Sequence, residues 1–194
     1  MVQFVRKEPT VESGHSTTKL TYEDYVRFPE DGLRHEIIDG EHYVTPTPAT
    51  RHQRISGELF YLIRAYLEAH RLGELFHAPF DALLGKYDVV VPDLLYLSNE
   101  RCHFLTSKNL QGPPTLVIEI LSPSTSRRDR LLKRDLYARV GVEEYWVVDP
   151  VCDVVEVYRQ GSGAFEASVQ YDKTAILTSP LFPGLELALD RVFA

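Results

Sequence analysis

The apolar positions of this chain change period several times, and the changes mark its elements. From Thr50 to Ala69, Ile55, Leu59, Leu62, Ile63, Tyr66 and Leu67 recur at helical spacing. This predicts an amphipathic helix with Thr50 as its cap and Gly73 as its stop. Upstream, Arg34 to Thr45 gives two extended runs around Asp39-Gly40, a hairpin signal. Thr21 with Asp24 predicts a capping box and a short helix over 21–28. Apolar, β-branched runs predict strands over 74–84, 89–97 and 115–121. Pro123 and Ser124 then open a basic helix over 126–139, ended by Gly141, with Leu132, Leu136 and Val140 as its buried stripe. A strand over 144–148 closes at Asp149-Pro150. A second hairpin is expected from 153–159 and 164–171 around Gly161-Ser162-Gly163, and two more short strands within 176–193.

The order predicts a mixed β-sheet flanked by helices, of α/β or α+β class. Within it, 115–148 forms a β-α-β crossover with parallel strands. Residues 1–18 lack periodicity and read as a flexible N-terminal arm, leaving 19–194 as a single domain. The 194-residue length fits one domain with a sizeable core. The net charge of −7 argues against a generally basic nucleic-acid binder. It permits a local basic patch, and Arg127, Arg128, Arg130, Lys133 and Arg134 supply one. Cys102 and Cys152 lack a CxxC partner and read as reduced thiols. No apolar run reaches transmembrane length and no secretory signal is recognisable, so a soluble cytoplasmic protein is expected.

Two strand-like runs each contain one carboxylate, Asp93 in VVVPDLLYLS and Glu119 in TLVIEIL. A charge inside an apolar strand is costly unless it is paired or binds a metal. On adjacent strands the two could share a Mg²⁺ or Mn²⁺ ion, with a backbone carbonyl such as that of Ile120 and waters completing an oxygen shell. Such an ion activates water and neutralises charge on a phosphoryl group. Lys133 and Tyr137, four residues apart, border the buried stripe of the basic helix, so Lys133 can reach back over the sheet. The structural alternatives are that Asp93 merely ends a strand and that Glu119 and Lys133 form a buried ion pair. His52 lies on the apolar stripe of its helix, and Glu36 lies in the hairpin strand RHEII. Each is a supporting candidate or an ordinary structural residue. Arg127, Arg128, Arg130 and Arg134 read as a phosphate-steering face, and Arg128 and Arg139 should point outward.

The segments LTYEDYVRFPEDGLRHEIIDGE, PDLLYLS and VIEILSPSTSRRDRLLKRDLYARVGVEEYWVVDP, with His52 between the first two, resemble the Uma2 (DUF820) family. That family lies within the PD-(D/E)xK restriction-endonuclease-like superfamily, and the resemblance covers roughly Leu20 to Leu189. It implies a restriction-endonuclease-like fold and a divalent-metal-dependent endonuclease that hydrolyses DNA phosphodiester bonds. It also implies that Asp93 and Glu119 are the metal carboxylates, supported by Glu36 and His52. The superfamily lysine stands two residues after the glutamate, where this chain has Leu121. The resemblance implies that the lysine has moved to the following helix, with Lys133 as its match. A non-catalytic nucleic-acid-binding module on the same fold stays open. So does an interaction protein, or a homodimer that pairs through the edge of the 153–171 hairpin.

Overall fold

The computed structural model describes residues 18–194, so the arm expected over 1–18 lies, but for Thr18, outside them. After the short helix α1 (Tyr22–Tyr25) come β1 (Arg34–Ile38), β2 (Glu41–Thr45) and the long helix α2 (Thr50–His70). β3 (Gly73–His77), β4 (Ala82–Gly85), β5 (Asp88–Val90) and β6 (Leu94–Ser98) follow, then a 3-10 segment at Asn99–Phe104 and β7 (Leu116–Ile120). The basic helix has three parts, α3 (Ser126–Arg128), a π-helical stretch at Asp129–Lys133, and α4 (Arg134–Val140). β8 (Glu144–Asp149), β9 (Val154–Arg159), β10 (Val169–Asp172), β11 (Ile176–Leu177), β12 (Leu187–Ala188) and α5 (Leu189–Val192) complete the chain.

Six strands form one sheet in the order β10-β9-β8-β7-β6-β3, and four form another in the order β2-β1-β5-β4. β7 and β8 run parallel, as the crossover predicts, and the remaining pairs are antiparallel. The burial pattern explains the layering. On one face of the six-stranded sheet Leu116, Ile118 and Ile120 of β7 pack with Ile55, Leu59, Ile63 and Leu67 of α2. On the other face Val117 and Leu121 join Leu136 and Tyr137 of α4, together with Ile38 and Val90 of the smaller sheet. The basic helix is therefore held between the two sheets. Among the described residues no helix is long and apolar enough to cross a membrane.

Two predicted strands are each divided. The run 74–84 becomes β3 and β4, which belong to different sheets, with Pro79 between them. The run 89–97 becomes β5 and β6, also in different sheets, with Pro92 between them. Proline donates no ladder hydrogen bond, so each run turns a corner instead of crossing one sheet. Asp93 thus stands at a corner and not inside a strand. The α2 cap is Ala49 in place of Thr50, and its left-handed C-cap is Arg71, two residues before Gly73. The hairpin after β8 forms, but its return strand starts at Val169 because 164–168 stays irregular.

The buried stripe of the basic helix also differs from expectation. Leu136 is buried, but Leu132 is 44% exposed, and Asp129 and Lys133 take the inward positions. A π turn spreads more residues over one turn than an α turn does, so the phase of the helix shifts across it. The Tyr145 hydroxyl donates to the Asp129 carbonyl at 3.0 Å and satisfies the backbone of this widened turn.

Gly73 joins α2 to β3 with φ of +138°, and a Cβ there would lie 2.0 Å from the Leu97 carbonyl oxygen. Both the backbone conformation and the contact exclude a side chain. Gly73→Ala is expected to lower stability by about 2 kcal/mol or more, measured by urea unfolding. An unchanged midpoint would contradict the β3–β6 registration.

Candidate functional site

The β6–β7 register pairs Leu94 with Ile118. One step beyond it, at the open end of the ladder, stand Asp93 and Glu119. Asp93 is almost fully buried, and both of its oxygens are engaged. Oδ1 accepts from the Arg34 guanidinium at 2.7 Å. Oδ2 accepts from the Ile120 N–H at 2.8 Å and lies 3.0 Å from His52 Nε2. Burial alone would raise the pKa of this carboxyl, but His52, Arg34 and the Ile120 N–H outweigh it and hold it at about 2.

Lys133 occupies the centre of the other half of the site. Its ammonium lies 2.8 Å from Glu119 Oε1, 2.7 Å from Glu36 Oε1 and 3.7 Å from Asp129 Oδ1. The Tyr137 hydroxyl donates to the same Glu119 oxygen at 2.8 Å. Arg128 Nη2 stands 3.3 Å from Glu36 Oε2, with the guanidinium stacked over the Tyr43 ring at 5.4 Å. One ammonium cannot neutralise three carboxylates. Burial, together with the charges of Asp129, Asp93 and Glu36, outweighs the Lys133 attraction and pushes Glu119 up to about 8. Burial also raises Asp129. Lys133 itself is raised, because its three carboxylates outweigh the cost of burial.

Of these groups Arg34, His52, Asp93, Glu119, Arg128, Asp129 and Lys133 line a cavity of about 210 Å³, and Glu36 and Tyr137 join them through their contacts with Lys133 and Glu119. The Pro46-Thr47-Pro48 segment after β2 and the Ser122-Pro123-Ser124 loop after β7 form its walls. The sequence candidates Asp93, Glu119, Lys133, Glu36, His52 and Tyr137 therefore converge, and Ile120 lines the same cavity. The expected Glu119–Lys133 ion pair is present, but it is one edge of a larger cluster.

The basic cluster is distributed differently from the expected phosphate-steering face. Arg128 turns inward to Glu36 and the Thr45 hydroxyl, where an outward position was expected. Arg130 is tied to Glu156 and Asp149, and Arg134 to Asp135. Arg127 alone of the four has no hydrogen bond or ion pair among the described residues. Arg139 does point outward, toward Asp88 at 3.2 Å. Strand alternation and the π turn cause the rearrangement.

Two site residues escaped the sequence reading. Arg34 lies two residues before Glu36 on β1, so alternation places both on the face toward the cluster. Asp129 lies four residues before Lys133, a spacing that pairs side chains along a helix. Each signal was available in the spacing alone.

Carboxylate oxygens are the donors a hard divalent cation takes, but as they stand the described residues hold no group of three or more His, Cys, Asp or Glu side chains placed to bind one, so Asp93 and Glu119 would have to exchange present partners for it. Among the described residues Glu36 Oε2, Asp129 Oδ1 and His52 Nδ1 are buried without a hydrogen-bond partner, the first two facing the charges of Arg128 and Lys133. Among the described residues Asp93, Glu119, Glu36 and Asp129 face three permanently charged side chains, Arg34, Arg128 and Lys133. The excess negative charge leaves room for a cation.

The raised Glu119 gives a pH prediction. The folded state holds a proton that the unfolded chain releases near the ordinary value of 4.5, so stability falls as pH rises from about 4.5 to about 8. The thermal midpoint of metal-free protein should decline across this window. Glu119→Gln, which keeps an acceptor for Lys133 and Tyr137, should flatten the decline and match or exceed the wild type at pH 8. A decline as steep in the variant would contradict this assignment.

Comparisons with known proteins agree with this architecture. No curated protein matches the chain. A solved structure described as "a putative nuclease belonging to DUF820 from Anabaena variabilis" superposes with a TM-score of 0.77 at 23% identity. The match covers 90% of this chain and 97% of that one, so the two share a fold. The Uma2 family model, described as "Putative restriction endonuclease", matches residues 22–190. The match extends from α1 to the final helix and includes every residue of the cluster, so the chain belongs to the Uma2 family.

Proposed function

We infer that this chain is a divalent-metal-dependent nuclease acting on DNA. The observation that carries this reading is the convergence of Asp93, Glu119 and Lys133 on one solvent-connected cavity. A purely structural ion pair needs no cavity, and burying one is seldom a net gain in stability. The family match supports the same reading.

Asp93 and Glu119, with the Ile120 carbonyl, would hold Mg²⁺ or Mn²⁺. When bound, the ion would neutralise charge at the phosphoryl group and acidify a water. The side chains around this position have separable tasks. His52 and the Ile120 N–H fix the Asp93 carboxylate, and Arg34 keeps it ionised. Lys133 and Tyr137 fix Glu119, which would have to be ionised to hold a cation. Glu36 and Asp129 retain Lys133 in its charged form. Arg34 is 16% exposed at the cavity, which makes it the guanidinium best placed to move from Asp93 to a phosphate oxygen.

Asp93→Ala should abolish Mn²⁺-dependent nicking of plasmid DNA, and activity that survives in the variant would contradict the reading. Arg34→Ala should act in two directions. Calorimetric Mn²⁺ affinity should rise because Asp93 is freed, while the cleavage rate falls on the order of a hundredfold. Parallel losses of binding and rate would contradict the role of Arg34. Because β10 lies at the edge of the six-stranded sheet, a second copy can pair there. Light scattering should then give twice the chain mass, and a single-chain mass would dispose of the dimer.

A further inference from the structure

A second cavity, of about 370 Å³, adjoins the carboxylate cavity and shares Ala49, His52, Ser122 and Pro123 with it. It is lined by Leu121, Pro123, Pro150 and Val151, together with the polar Arg51, Ser126 and Asp149. Val151 is 85% exposed. On the opposite side, a third depression of about 330 Å³ shares Arg34, Thr45, Pro46, Thr47 and Pro48 with the carboxylate cavity. The three form a trough with the carboxylates at its middle and an apolar hollow immediately to one side.

We propose that the hollow beside the carboxylates is a nucleobase subsite, and that the substrate is a single nucleic-acid strand lying along the trough. This rests on the hydrolytic reading of the carboxylate cavity. Three observations select this occupant. The hollow is continuous with the position where a phosphate would react, so a base attached to the adjacent sugar falls into it. Its lining is largely apolar and includes two proline rings, with Arg51, His52, Ser122, Ser126 and Asp149 as its polar members, and this mix suits the faces and polar edge of an unstacked base. The net charge and the pairing of the nearby arginines also disfavour a duplex. The chain's net charge is −7, and Arg34, Arg51, Arg128 and Arg130 are all engaged by carboxylates. Affinity must therefore come more from burying a base than from neutralising many phosphates.

Cys152 lines the hollow and is exposed, so it allows the site to be blocked. In a Cys102→Ser background, N-ethylmaleimide at Cys152 should weaken binding of a fluorescent thymidine 12-mer at least tenfold, measured by anisotropy in Ca²⁺. A Cys102→Ser/Cys152→Ser protein treated identically should bind as before. Val151→Trp, on an exposed turn, should weaken binding in the same direction. The duplex of the same sequence should bind more weakly than the single strand. The slope of log affinity against log salt should be shallow, about −0.7 to −1.4 for one or two phosphates. Unchanged binding after labelling, preference for the duplex, a steep salt slope, or no binding would each overturn the subsite. Hydrolysis of bis(p-nitrophenyl) phosphate in Mn²⁺, which needs no base, separates the two claims. Its absence defeats the hydrolytic reading, and its presence with unaffected strand binding defeats the subsite alone.

Discussion

The ammonium of Lys133 holds together what the two sheets bring separately. Glu36 comes from the four-stranded sheet and Glu119 from the six-stranded one, and both lie within 2.8 Å of the same nitrogen. The lysine in turn depends on the helix between the sheets, whose π turn directs Asp129 and Lys133 inward together. Removing the lysine would leave buried carboxylates without their cation, which costs far more than losing a surface pair. The apolar layers bring the elements together, and this charge arrangement fixes how the sheets and helix meet at the cavity.

The same arrangement leaves the site electrostatically incomplete. Among the described residues four carboxylates share three permanent cations, and burial with the neighbouring carboxylates raises Glu119. Asp93, a short distance away, is held ionised by Arg34, His52 and a backbone N–H. The surroundings thus push these two carboxyl groups in opposite directions. Such separation is typical of functional sites, where burial and charge partners are set against each other. A divalent cation would resolve the imbalance.

Much of this was legible in the sequence. The periodicity of 50–69 and the Asp39-Gly40 turn located α2 and the first hairpin, and the 115–148 segment was correctly read as a parallel crossover. The two carboxylates could be picked out because charge inside an apolar run is rare. Corners were harder to see. Pro79 and Pro92 each redirect a continuous apolar run into a different sheet, and no local pattern distinguishes that from a strand interruption. The phase of the basic helix was also hidden, because a π turn leaves no periodic signature and moves Leu132 to the surface. The fate of the arginines followed from that phase. Arg128 reads as a solvated charge until Glu36 is known to lie behind it.

The account stands on Asp93 and Glu119 sharing one cation, and a crystal structure of the protein soaked in Mn²⁺ tests this most directly. The prediction is a single anomalous peak bridged by both carboxylates, with Arg34 displaced from Asp93 and Lys133 still on Glu36. An Mn²⁺ ion bound elsewhere, or none at this position with the cluster unchanged, would contradict it.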